Sequence, residues 1–113
     1  MASIEIEDQK GPVVKDLDKM VQFANEGIVS KTFLERPECK VVLFCMVKGQ
    51  SLSEHTSSMP ASIHVLKGRA VITLGDERHD AAPGTWVHMP KEQRHAVDAT
   101  EDLVFLLTLF RKA

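Results

Sequence analysis

What most restricts the fold of this chain is the succession of short β-rich segments that fills it from residue 28 onward. Ile28–Leu34 and Lys40–Val47 come first, followed by Ser62–Leu66, Arg69–Leu74, Glu77–Ala81, Thr85–Met89, His95–Asp98 and Leu103–Phe110. Glycine and proline punctuate them at Gly49, Pro60, Gly68, Gly75, Pro83-Gly84 and Pro90. Segments of this length with turn residues between them predict an all-β sandwich or barrel rather than alternating strands and helices. Val41 to Val47 is apolar on both faces, the pattern of a strand covered on both sides. The LLTLF run ending at Phe110 predicts the same for the last strand.

Ahead of this β region the periodicity differs. Ile4 and Ile6 alternate with Glu5 and Glu7, which predicts a loose arm or edge strand ended by Gly11-Pro12. Leu17, Met20, Val21 and Ala24 then follow the spacing of one helical face. With Asp16 as N-cap and Gly27 as stop, they predict a helix of two to three turns packed outside the sheets. No internal repeat is present, so the chain divides into an arm over 1–15 and a single domain over 16–113.

Composition removes several function classes. A formal net charge of −2 over 113 residues provides no basic excess for phosphates, which argues against nucleic acid. No apolar run approaches the roughly 20 residues of a membrane helix. The polar, acidic start lacks the basic and apolar regions of a signal peptide, so a cytoplasmic protein is expected. Cys39 and Cys45 carry no ligand or redox spacing, and Cys45 sits in an apolar run as a small hydrophobe.

Two segments carry chemistry. In the first, Gly49 is followed after five residues by His55, and later by Gly68. In the second, Gly84 is followed after five residues by Pro90, and then by His95. This resembles the paired motifs of the cupin family, G-x5-H-x-H-x3-E-x6-G and G-x5-P-x-G-x2-H-x3-N, over residues 40–110. The resemblance is to a small single-domain, RmlC-like cupin of the Cupin_2 type, and implies a β-barrel or jelly-roll sandwich with one short N-terminal helix. Cupins with the full pattern hold a divalent transition metal through three histidines and a glutamate. Here Ser57 replaces the second histidine and Ala61 the glutamate, while Glu92 and Ala99 replace the glycine and asparagine of the second motif. The first motif is therefore degenerate, and only His55 and His95 are carried over as ligands.

The strand before Pro90 offers a third imidazole. Trp86 and His88 share one of its faces, and the family pattern implies that this face lines the barrel. A His55, His88 and His95 set would suit iron, manganese, zinc, nickel or copper. A pocket lined by Phe44, Ser57, Met59, Ala61, Ile63, Trp86 and Phe105 is expected beside it, with the small residues leaving room for a small metabolite. Two readings follow: a metal-dependent enzyme, dioxygenase or isomerase-like, or a metal-free small-molecule binder or sensor without catalysis. The resemblance also implies a homodimer, formed sheet on sheet.

Overall fold

The computed structural model describes residues 2–4 and 10–111. Strands β1 (Ala2–Ile4) and β2 (Ile28–Glu35) flank a short helix, α1 (Leu17–Met20). β3 (Cys39–Met46), β4 (Ser51–His55), β5 (Ala61–Lys67), β6 (Ala70–Leu74) and β7 (Glu77–Ala81) follow. The chain ends with β8 (Trp86–Met89), β9 (His95–Ala99) and β10 (Leu103–Phe110). One sheet has the order β1-β2-β3-β10-β5-β8 and the other β4-β9-β6-β7. β1 runs parallel to β2, and the other described pairings are antiparallel.

Alternation along each strand decides what goes inside. On β10, Leu103, Phe105, Leu107 and Leu109 join the cluster between the sheets, whereas Val104 and Leu106 face out. Phe105 lies opposite Phe44 of β3 and Val65 of β5, and the Phe44 and Phe105 rings stack with centroids 5.0 Å apart. The smaller sheet supplies Ile72 opposite Val97. With Ala70, Ala81 and Ala99 these side chains close the core from that side.

The turn from β5 into β6 requires its glycine. Gly68 has φ +80°, and a Cβ there would stand 1.9 Å from the carbonyl oxygen of Asp102. No side chain fits so close an approach, and only glycine adopts that φ without cost.

Three expectations are corrected. The helix is one turn, Leu17–Met20, and the chain is extended at Val21 (φ −61°, ψ 127°). Asp16 stands at the N-cap but its side chain caps nothing. Isolated short helices nucleate poorly. The segment instead gains by laying Met20, Val21 and Ala24 over Val29, Leu43, Cys45 and Val104 on the outside of the six-stranded sheet. The second correction is β4, which is absent from the β-rich segments read from the sequence. It is a strand paired with β9, its polar residues exposed and Leu52 packed against the core. The third concerns β8. Val87 and Met89 face inward opposite Ile63 and Ala61, so Trp86 and His88 lie on the outer face. At the N-terminus a strand is present over Ala2–Ile4, while Glu5, Ile6 and Glu7 lie outside the described residues.

The outer face of β10 is covered by the chain's own segment at Val104 and Leu106. Farther along that face Trp86 is 62 % exposed and Phe110 42 % exposed. His88 stands between them, with ring centroids 6.2 Å from Trp86 and 6.3 Å from Phe110. No helix among the described residues is long and apolar enough to cross a membrane.

Candidate functional site

β4 and β9 are neighbours in the smaller sheet, and their register sets His55 directly opposite His95. The two imidazoles meet edge to face, with centroids 4.1 Å apart and planes 61° apart. Each ring is fixed by the backbone carbonyl two residues before it in the chain. His55 Nδ1 lies 2.7 Å from the Ser53 carbonyl oxygen, and His95 Nδ1 lies 2.8 Å from the Gln93 carbonyl oxygen. A carbonyl only accepts, so each Nδ1 carries the proton and donates it. In the neutral ring Nε2 is then an acceptor, and no described group bonds it in either histidine.

His95 is buried while His55 is exposed at the rim. Burial disfavours the His95 imidazolium and pushes its pKa below the ordinary 6.5. The bond to the Gln93 carbonyl pulls upward by less, and the neighbouring His55 adds a further downward push. His95 is thus a neutral acceptor at pH 7.

The histidines open onto a cavity of about 170 Å³ between the sheets. Phe44 of β3, Ile63 of β5, and Phe105 and Leu107 of β10 line it. Leu52 of β4 and Val97 of β9 complete its apolar surface. Among the described residues that line it, only His55 and His95 are ionisable. Phe44, Ile63 and Phe105 therefore stand where the sequence places them. Leu52, Val97 and Leu107 were not foreseen, although alternation marks Val97 two residues from His95 and Leu107 two from Phe105.

The other expected residues stand elsewhere. Ser57 is in the turn after β4, where its Oγ accepts from the Met59 N–H at 3.1 Å and its carbonyl accepts from the Glu92 N–H at 2.7 Å. Met59 borders a separate surface groove with Lys91, Phe110 and Arg111. Ala61 is buried in the core beyond the cavity wall. Trp86 and His88 are outside, for the reason of register given above. His64 also faces outward, opposite Trp86.

A third metal ligand is not at hand. Glu54 is on the strand face opposite His55 and pairs with Arg94 at 3.3 Å. Glu92 is exposed in its turn, with φ +65°. Among the described residues no group of three or more His, Cys, Asp or Glu side chains is placed to hold a metal. Two imidazoles do not make the four-ligand set of the full cupin pattern, nor a two-histidine, one-carboxylate triad.

Known proteins share this architecture. A conserved protein of unknown function from Streptococcus pyogenes superposes with a TM-score of 0.81 at 28 % identity, over 100 % of this chain and 97 % of its own. A cupin superfamily protein from Desulfitobacterium hafniense gives 0.81 at 20 % identity, over 94 % and 97 %. A Cupin 2 conserved barrel domain protein from Leptotrichia buccalis gives 0.77 at 26 % identity, over 83 % of this chain and 46 % of that one. No curated protein matches the sequence. The Cupin_2 family model, described as a cupin domain, matches residues 42–109. With both motif segments inside that match and the barrel built around them, the chain belongs to the Cupin_2 family.

Proposed function

We propose that this cupin binds a small metabolite without a metal, using His55 and His95 as the recognition group at the polar end of an apolar pocket. The observation that carries this reading is the pair of tethered imidazoles at an apolar cavity, with no third metal donor grouped with them among the described residues. The cavity is smaller than the roughly 300–1,000 Å³ of drug-sized sites, so the ligand is correspondingly small. Metal analysis of untagged protein tests the reading. Less than a tenth of an equivalent is expected, with no uptake of added iron, manganese, zinc, nickel or copper. Stoichiometric metal that disappears in His95→Ala would return the chain to the metal-dependent enzyme class.

The outer face supports a second copy of this chain as partner. Trp86, Phe110 and His88 form an exposed aromatic surface continuous with the half-covered outside of β10. Such patches on soluble proteins mark interaction sites. Light scattering on Trp86→Lys is expected to give a monomer where the parent gives a dimer, and a monomeric parent would refute it. Cys39 and Cys45 are both unpaired, which suits a reducing, cytoplasmic setting.

A further inference from the structure

We infer that the outer face of the larger sheet pairs with a second copy of itself only while His64 and His88 are uncharged, so that mild acid separates the copies. The inference rests on the second-copy reading and deepens it.

Strand parity gives this face its composition. β10 turns Leu106, Thr108 and Phe110 outward, because Phe105, Leu107 and Leu109 join the core. β5 turns Ser62 and His64 outward, because Ala61, Ile63 and Val65 join it. Register then sets Leu106, His64 and Trp86 in one row across β10, β5 and β8, and Thr108, Ser62 and His88 in the next. In those two rows only the imidazoles can carry a charge, and both are exposed. Among the described residues neither has a carboxylate within ion-pair distance, whereas His79 on β7 has Glu77 at 3.4 Å.

The sheet edges point the same way. Charges, proline or a bulge ordinarily guard an edge strand against pairing. β7 carries Glu77, Arg78 and Asp80, while β4 carries Glu54 and a register shift between Leu52 and His55. β8, Trp86-Val87-His88-Met89, keeps regular register with β5 and has none of these guards while His88 is neutral. A closed contact between two identical copies is two-fold, so groups near its centre meet their own like. A face without full charge accepts itself, and one with an imidazolium on each side repels itself. That self-complementarity is what commits the face to a second copy.

The charged groups around the patch offer an imidazolium no relief. At the end of β5, Lys67 is paired with Asp18 of the covering turn at 3.3 Å. Lys31 of β2 lies in the row of Leu106, beyond Leu43. β3 adds only the thiols of Cys39 and Cys45. Beside Phe110 the surface groove holds Lys91 and Arg111, and Arg111 is paired with Glu35. Glu38 and Glu92 are exposed in turns outside that groove's lining. No carboxylate is left on the patch to hold a buried imidazolium, and a charge buried without a partner is costly.

Sedimentation equilibrium from pH 8.0 to 5.5 at one ionic strength tests this, over the range in which circular dichroism shows the fold intact. One pH unit below the ordinary value for histidine, each imidazole that a dimer must keep neutral weakens association about tenfold. With at least one such imidazole from each copy, the dissociation constant should rise about a hundredfold or more in the parent and in His79→Gln. In the double variant His64→Gln/His88→Gln it should stay nearly constant. A parent equally dimeric throughout, or a loss undiminished in the double variant, overturns the inference and leaves the second copy standing. If the double variant does not dimerise at pH 8.0, the single variants decide: each should lose part of the parent's slope, and a full slope in both overturns the inference. A parent monomeric at pH 8.0, or a dimer untouched by Trp86→Lys, overturns the second-copy reading and this inference with it.

Discussion

Two pairs of histidines, equal in chemistry, have opposite fates in this barrel. His55 and His95 sit on adjacent strands of the smaller sheet with their Nδ1 atoms tied to backbone carbonyls and an apolar cavity before them. His64 and His88 sit on adjacent strands of the larger sheet, on its outer face, with Trp86 and Phe110 for company. The first pair is set apart by its surroundings: each Nδ1 donates to a backbone carbonyl, and both rings line an apolar cavity. The second remains a surface feature of the larger sheet. Residue type proposes a site, and strand parity with burial decides it.

That contrast is open to attack on both sides. The largest effect is expected inside: Phe105→Ala removes a buried wall of the cavity, 1 % exposed, and should cost about 3–5 kcal/mol in denaturant unfolding. A loss below about 1 kcal/mol would mean that the interior does not pack around the cavity as described. Gly68→Ala comes next. Its positive φ alone costs on the order of 1–3 kcal/mol, and the clash with the Asp102 carbonyl adds to it. An unchanged melting temperature would disprove the close approach.

The pH dependence tests the burial of His95 directly. His95 holds its proton less readily folded than unfolded, so the unfolded chain takes up more protons as pH falls below the ordinary 6.5. Stability is therefore fully present above that value and declines as pH drops toward the depressed folded pKa. Thermal melts at pH 7.5 and 5.5 should show the decline in the parent and a shallower one in His95→Gln. Equal slopes in the two would remove the effect assigned to His95 burial. The smallest effect belongs to the outer face: Trp86→Ala in an isolated subunit should alter stability by no more than about 0.5 kcal/mol. A larger loss would place Trp86 in the fold rather than at an interface.

Much of the barrel was legible in the sequence because its strands alternate cleanly and end at glycine or proline. Glu77–Ala81 and Leu103–Phe110 coincide with their strands from end to end, and the others agree within two residues. β4 was illegible because Ser51, Ser53 and Glu54 give an exposed strand no apolar rhythm beyond Leu52. The helix was overread because its apolar spacing suits equally an extended segment pressed onto Leu43 and Cys45. At the site, motif spacing brought His55 and His95 together correctly. The strand Trp86–Met89 exposed the limit of alternation, which separates two faces without saying which one is inside. The register against Ile63 and Ala61 settles that, and no local pattern encodes it.

The direct opposition of His55 and His95 has a consequence for how this pocket can change. Both imidazoles belong to one sheet, whereas Phe44, Ile63, Phe105 and Leu107 belong to the other. The two imidazoles and most of the apolar wall are thus separate parts, with Leu52 and Val97 the share of that wall on the histidines' own sheet. Exchanging side chains on the larger sheet resizes the chamber while the two nitrogens keep their spacing. The same barrel is therefore a natural starting point for a graded series of cavities that keep one pair of imidazoles and differ only in the hydrocarbon around them.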